Sequence, residues 1–173
     1  IVTSAAVSSL INNPFKKDEL TLACHFRLNY VKYDSSDKII SAGPVSVVVV
    51  ENEGTVTVEV NLNEEVVVLG PFTNAEVSKW LSIVIHLKAD GYNIVLRDSR
   101  TEASIATASG STYVDIPEQI LISNADGSKS VANCHITEEN YTKAVIHAPE
   151  DKSINCDLSI NNECVSSDWG LVN

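Results

Sequence analysis

The sequence contains no methionine, and cationic side chains are scarce in it. Twelve Lys and Arg stand against 23 Asp and Glu, a formal charge of −11. A surface of that sign repels phosphate backbones and anionic lipid, so neither a nucleic acid nor a polybasic membrane contact is expected. Long apolar runs are also missing. None approaches the ~20 residues that a membrane-spanning helix needs, so no membrane insertion is expected. With 7 Gly and 5 Pro in 173 residues, no Gly-, Pro- or Ser-rich linker divides the chain. The expectation is a single domain over residues 1–173 with a polar tail from about residue 149. Because the chain opens on Ile1 without an initiator methionine, it reads as processed, with signal-peptide removal the expected route.

The residues that are abundant branch at Cβ. Val (22) and Ile (15) together outnumber Leu (12) threefold. Such side chains pack well on a pleated surface and lose rotamers on a helix, so the bias points to strands. Alternation supports it. Leu22, Cys24, Phe26 and Leu28 share one face, as do Val56, Val58 and Val60, and as do Leu81, Ile83, Ile85 and Leu87. Acidic or Gly-bearing turns separate the runs at Glu51–Gly54, Asn61–Glu64 and Ala89–Gly91. About eleven short strands result, with Tyr113–Ile116 and Lys143–His147 among them. Thr73 followed by Glu76 predicts one capped helical turn, and a second short helix is expected around Ala5–Ile11. No helical period alternates with the strands. The fold class read from this pattern is all-β, an antiparallel two-sheet β-sandwich.

Cys24, Cys134, Cys156 and Cys164 are four, an even number, and no C-x-x-C occurs. Together with the Asn140-Tyr141-Thr142 glycosylation triplet, this predicts disulfides and a secreted, extracellular protein. Three pairings are open. The short Asn- and Ser-rich loop between Cys156 and Cys164 favours Cys156–Cys164 with Cys24–Cys134, and such a bond would tie down the tail.

The segment Phe72–Ile85, a short polar loop, then Trp80, then an alternating strand, resembles the laminin-G family, and Ala89–Arg97 resembles the hairpin that follows there. Galectins show a similar strand–turn–strand. The resemblance covers roughly residues 20–136 and implies a concanavalin-A-like jelly roll of two stacked antiparallel sheets. It does not extend to the galectin sugar motif: His25-Phe26-Arg27-Leu28-Asn29 lacks its spacing, and Trp169-Gly170 lies at the far end of the chain.

Chemistry-bearing residues are scattered. His25, His86, His135 and His147 fall singly on predicted strands with no metal-ligand spacing, and read as strand-surface residues. Cys24 and His25, adjacent on a strand, point to opposite faces and cannot cooperate. The carboxylate pairs lie in turns, where solvation is the ordinary state, and the glycosidase motif E-x-D-x-x-E is absent. No enzyme and no cofactor are therefore expected. Asp34 and Asp37 flank a polar turn that could supply oxygens to calcium. Glu51 and Glu53 at one hairpin end, and Glu64 and Glu65 at the next, would share one rim and face a cationic partner. Trp80 reads as a packing anchor, and Trp169 as an exposed binding residue.

The functional expectation is a non-enzymatic extracellular binding module for a protein or a glycan, as a secreted decoy or an adhesion domain. The alternatives are a structural, self-assembling protein, consistent with a homo-oligomer, and, more weakly, a divergent glycan hydrolase on the same fold.

Overall fold

The structure, a computed structural model, describes residues 8–12, 19–28, 35–115, 119–123, 129–137, 158–160 and 163–166; for 8–12, 27, 28, 35, 37 and everything from 119 onward it describes the backbone alone. Thirteen strands and one helix form among the described residues. In chain order they are β1 (Ser8–Asn12), β2 (Leu20–Leu28), β3 (Ser35–Ala42), β4 (Val45–Asn52), β5 (Thr55–Leu62), β6 (Glu65–Phe72), α1 (Asn74–Val77), β7 (Leu81–Lys88), β8 (Gly91–Asp98), β9 (Ser104–Gly110), β10 (Gln119–Ser123), β11 (Lys129–Thr137), β12 (Leu158–Ile160) and β13 (Glu163–Ser166). A six-stranded sheet runs β1-β10-β3-β4-β5-β6, and a seven-stranded sheet runs β13-β12-β11-β2-β7-β8-β9. Every strand pairing is antiparallel except β11 with β12.

The inward rows are those the alternation predicts. Val45, Val47 and Val49 on β4, Val56, Val58, Val60 and Leu62 on β5, and Val67 and Leu69 on β6 line one wall of the core. Leu22, Cys24 and Phe26 on β2, Leu81, Ile83, Ile85 and Leu87 on β7, and Tyr92, Ile94 and Leu96 on β8 line the other. The register sets Ile83 between Cys24 and Leu96, and Ile85 between Leu22 and Ile94. On β3 the register slips between Lys38 and Ile40, and this bulge lets the consecutive Ile39 and Ile40 both bury. The capping box forms as expected: the Glu76 amide donates to Thr73 Oγ1 at 3.4 Å, and the Thr73 amide donates to Glu76 Oε2 at 2.7 Å.

Several expectations are corrected. The segment expected as a helix around Ala5–Ile11 instead supplies β1, whose Leu10 and Ile11 pair with Leu121 and Ile120 of β10; a waiting strand edge overrides a weak local preference. Residues 111–115 join no ladder, and Val114 anchors them by burying alone. The tail carries β12 and β13, which extend the seven-stranded sheet, so thirteen strands stand among the described residues against the eleven or so expected. Lys143–His147 lies outside the described residues.

A larger correction concerns the second face of the seven-stranded sheet. Alternation of polar and apolar residues predicts that β2 and β7 are half-buried, with the histidines at the surface. Thr21, Ala23, His25, Ser82, Val84 and His86 are all buried. Both central strands are therefore enclosed on both faces. His25 Nδ1 is hydrogen-bonded to Ser99 Oγ at 2.8 Å, and His86 Nε2 meets Glu19 Oε1 at 2.7 Å.

Candidate functional site

Where β7 begins and β8 ends, Leu81 and Asp98 are paired across the ladder. The chain entering β7 (residues 78–80) therefore lies beside the turn that leaves β8. The Ser99 amide donates to the Trp80 carbonyl at 3.0 Å and fastens the two segments together. Asp98 organises the turn. Its Oδ1 accepts from the Arg100 amide at 2.8 Å and the Thr101 amide at 3.3 Å, and its Oδ2 meets Lys79 Nζ at 3.1 Å. Two backbone bonds close the loop: Glu102 N to Asp98 O at 2.9 Å, and Asp98 N to Ala103 O at 3.0 Å. The amide of Arg100, then the ammonium of Lys79, hold the Asp98 carboxyl below the usual carboxylate range, against the smaller upward push of burial.

Between these segments opens a cleft of about 360 Å³ lined by Ser78, Lys79, Trp80, Asp98 and Arg100. That volume is at the small end of the ~300–1,000 Å³ typical of small-ligand sites. Trp80, half-buried, is among the residues that line the cleft, and Arg100 is exposed. One aromatic residue, two cationic residues and one carboxylate thus come together there among the described residues. The carboxylate is occupied by the turn it holds. Such a set can stack a ring and donate hydrogen bonds to oxygen.

Trp80 was expected as a packing anchor, and its place in a cleft is what the sequence reading missed. The signal was present. Lys79 and Trp80 precede a strand whose hairpin partner ends in Asp98-Ser99-Arg100, so an in-register hairpin must bring the two ends together.

The acidic residues expected on one rim do not meet. Glu51 and Glu53 sit at the β4–β5 turn, and Glu64 and Glu65 at the β5–β6 turn. Successive turns of a meander lie at opposite ends of the shared strand. With eight residues in β5, the separation is about 27 Å at ~3.4 Å per residue. Glu51 is moreover buried, and its Oε1 accepts from the Gly54 amide at 2.9 Å, which fixes the turn. Glu65 is half-buried and accepts from the Tyr92 hydroxyl at 3.0 Å. Only Glu53 and Glu64 of the four are exposed.

Asp37 is part of β3, opposite Val49, and not in a turn, because β3 pairs with β4 as far back as Ser35. Asp34, Asn140, Cys156 and Trp169 lie outside the described residues. In place of the expected Cys24–Cys134 bond, Cys24 is a buried free thiol. The β11 bulge between Ala132 and His135 sets Asn133 and Cys134 opposite it. Cys164 stands on β13, opposite Ser159. No group of three His, Cys, Asp or Glu suited to a metal ion occurs among the described residues, and no helix among them is long and apolar enough to cross a membrane.

No family model matches the chain, and no curated protein matches it in sequence. Solved structures do match. The LG1-3 region of the laminin alpha2 chain superposes with a TM-score of 0.51 at 12% identity, over 78% of this chain and 30% of that one. The enzymatically active domain of bacteriophage CBA120 tailspike protein 2 gives 0.55 at 13%, over 77% and 24%. The fold is a concanavalin-A-like jelly roll. A legume lectin-like domain from Entamoeba histolytica is similar over more of its own length, with 80% of this chain and 82% of that one covered, at 11% identity and a TM-score of 0.48. This jelly roll spans less than a third of the laminin region and of the tailspike domain. At such identities the likeness fixes the fold and leaves the ligand to the chain's own residues.

Proposed function

We propose that this jelly roll is a non-enzymatic, extracellular recognition module that binds glycan through the Trp80 cleft. The observation that carries the reading is the cleft itself, lined by a half-buried tryptophan and polar residues beside a hydrogen-bonded turn at the sandwich rim. Sugar rings present C–H faces to an aromatic surface and hydroxyls to polar side chains, so a site of this make-up suits them. The non-enzymatic part is supported by the work the carboxylates already do. Glu51 holds a turn, Glu65 bonds Tyr92, Glu76 caps α1 and Asp98 organises the cleft turn. Extracellular placement is supported by the Asn140 sequon of the sequence. A glycan array with wild type and Trp80→Ala tests the reading. Signals that vanish in the variant are expected. An array with no signal, beside capture of a protein ligand that Trp80→Ala leaves unchanged, would overturn it.

A second reading, self-assembly, is favoured by β6. It is an edge strand, paired only with β5 among the described strands, and Val66 and Val68 are 53% and 54% exposed on it. An exposed apolar edge is a template for another strand. Size exclusion at two concentrations, with Val68→Lys as control, separates this reading from the first.

A further inference from the structure

We infer that β6 pairs antiparallel with β6 of a second copy of this chain, about a two-fold axis at Val67 that sets Val66 of each copy opposite Val68 of the other. This rests on the self-assembly reading of β6 and goes on to name the partner and the register.

The register follows from the backbone. Asn63 and Glu64 make a two-residue turn, with Asn63 at φ 61°. Such a turn closes on a pair that exchanges both backbone hydrogen bonds, here Leu62 with Glu65. Bonded and unbonded pairs alternate along an antiparallel ladder. Val67 and Leu69 therefore bond to β5, and the N–H and C=O groups of Val66 and Val68 point to the open edge. The same two residues carry the exposed side chains, at 53% and 54%, whereas Val67 and Leu69 are buried. Past Leu69 the register shifts. The regular edge is thus residues 65–69, and Val67 is its middle.

A second copy answers each of these features. A two-fold axis at Val67 brings Val66 opposite Val68 twice, and each such pair can exchange two backbone bonds. The outward valines of both copies then form one apolar cluster across the axis, the cross-strand pairing that β-branched side chains favour. An axis at Val68 would instead set Val66 against Gly70, outside the regular edge. Charge points the same way. The chain is −11 overall, yet residues 66–72 carry no charge. The Glu65 carboxyl is hydrogen-bonded to Tyr92, and Glu59, on the outer face, stands one strand back on β5. The edge is therefore a neutral gap through which two acidic copies approach. A strand edge this short buries less than the ~1,200–2,000 Å² of a stable interface, so the pair is weak, in the micromolar-to-millimolar range. It should strengthen with salt, because repulsion between the copies is screened as the Debye length falls from ~30 Å at about 0.01 M to ~8 Å at about 0.15 M.

Sedimentation of the full chain over a concentration series at the two salt levels, together with amide hydrogen exchange, tests the pairing. The average mass is expected to rise toward that of a dimer, and at lower concentration in the higher salt. Exchange at the Val66 and Val68 amides should slow in step with the mass, while Val67 and Leu69, already bonded to β5, stay constant. Val66→Lys should weaken pairing roughly tenfold. Val66→Lys combined with Val68→Glu should restore it, because this register sets the new ammonium of one copy against the new carboxylate of the other. Both positions are exposed, so both variants are expected to melt with the wild type; should either fail to fold, the wild-type exchange pattern decides. A chain that stays monomeric throughout overturns this inference and the self-assembly reading together. A rising mass with unchanged exchange at Val66 and Val68, or one that Val66→Lys leaves intact, overturns β6 as the interface while self-assembly stands through another surface. Pairing that weakens as salt rises does the same, since this edge offers no ion pair. A double variant no better than Val66→Lys overturns the register.

Discussion

Tyr92 on β8 and Glu65 on β6 join the two sheets directly: the phenol donates to Glu65 Oε1 at 3.0 Å. The edge strands β6 and β9 come together on this side of the sandwich. The Tyr92 ring reaches Glu65 by passing over Gly110, its ladder partner on β9. Burial first, then the hydrogen bond and charge of Glu65, raises the Tyr92 pKa above the ordinary tyrosine value. A phenol whose folded pKa is raised stabilises the fold fully below its unfolded pKa, about 10. That contribution is lost as pH rises through the folded value. Alkaline unfolding of the wild type is therefore expected to include a component that Tyr92→Phe lacks. Near neutral pH, Tyr92→Phe should cost about 1 kcal/mol for the lost bond. Glu65→Gln keeps an acceptor and removes the charge, so it should shift phenol ionisation, followed by ultraviolet absorbance, toward lower pH. An unshifted ionisation would show that Glu65 does not act on Tyr92.

The same corner predicts a glycine effect. A Cβ at Gly110 would come within 2.5 Å of the Tyr92 oxygen and 2.6 Å of its Cζ. Because that ring is buried, it cannot swing aside. At Gly91, φ is +145°, and a Cβ would strike the backbone carbonyl of Gly110. Gly110→Ala is expected to cost about 1–3 kcal/mol, the range for overpacking a filled site, and Gly91→Ala to cost more. Denaturant melts of the two variants check the order. Equal and negligible costs would mean that this corner is loosely packed.

How much the sequence discloses depends on what each residue's environment must contain. Rows such as Leu81, Ile83, Ile85 and Leu87 were legible because a period of two leaves one face for the core. Burial of the opposite row, Ser82, Val84 and His86, was not legible from polarity, since Ser and His are polar yet bury once partnered. The available clue was the lack of Lys, Arg, Asp and Glu over 82–86 and 21–25; compare Lys38 and Glu59 on the outer face of the six-stranded sheet. Rim positions failed for a different reason. Glu51 and Glu64 look alike in sequence, and only the antiparallel course of β5 sends their turns to opposite ends. The cleft escaped because it needs two segments eighteen residues apart, Lys79-Trp80 and Asp98–Arg100, to be read as one hairpin's ends.

Enclosure of both faces gives a stability prediction. Ile83→Ala should destabilise by about 2–5 kcal/mol as a truncated core residue. Val84→Ala, on the opposite face, should cost about 1.5–3 kcal/mol, because that side chain is buried as well. In a sheet open to water on that side, Val84→Ala would cost almost nothing. Urea melts of both variants decide between the two states.

Glu51 and Glu53 make a matched pair within one turn. Glu51 is buried and caps the Gly54 amide, whereas Glu53 is exposed with φ at 50°. Glu51→Ala leaves an amide short of its acceptor, and is expected to cost about 1–3 kcal/mol. Glu53→Gly relieves a left-handed backbone position, so its cost should stay below that of Glu51→Ala. If thermal melts showed the two substitutions to be equivalent, Glu51 would be an ordinary surface acid after all.

Asp98 links the cleft to pH. Its carboxyl is held low, first by the Arg100 amide and then by Lys79. A carboxyl with a depressed folded pKa stabilises the structure above its unfolded pKa, about 3.9. That stabilisation is lost as pH falls through the folded value. The turn at 98–101 is therefore expected to stay ordered down to pH values at which free aspartate is already protonated. Asp98→Asn retains one acceptor oxygen and places an amide NH2 near Lys79 in place of the anion. It should loosen the turn at neutral pH and remove this part of the acid dependence. Amide hydrogen exchange at Arg100 and Thr101, whose protons Asp98 accepts, reports the turn directly. The wild type should protect both amides down to low pH, and the variant should protect neither well at any pH. Equal protection in the two proteins would mean that the backbone bonds Glu102–Asp98 and Asp98–Ala103 hold the turn unaided.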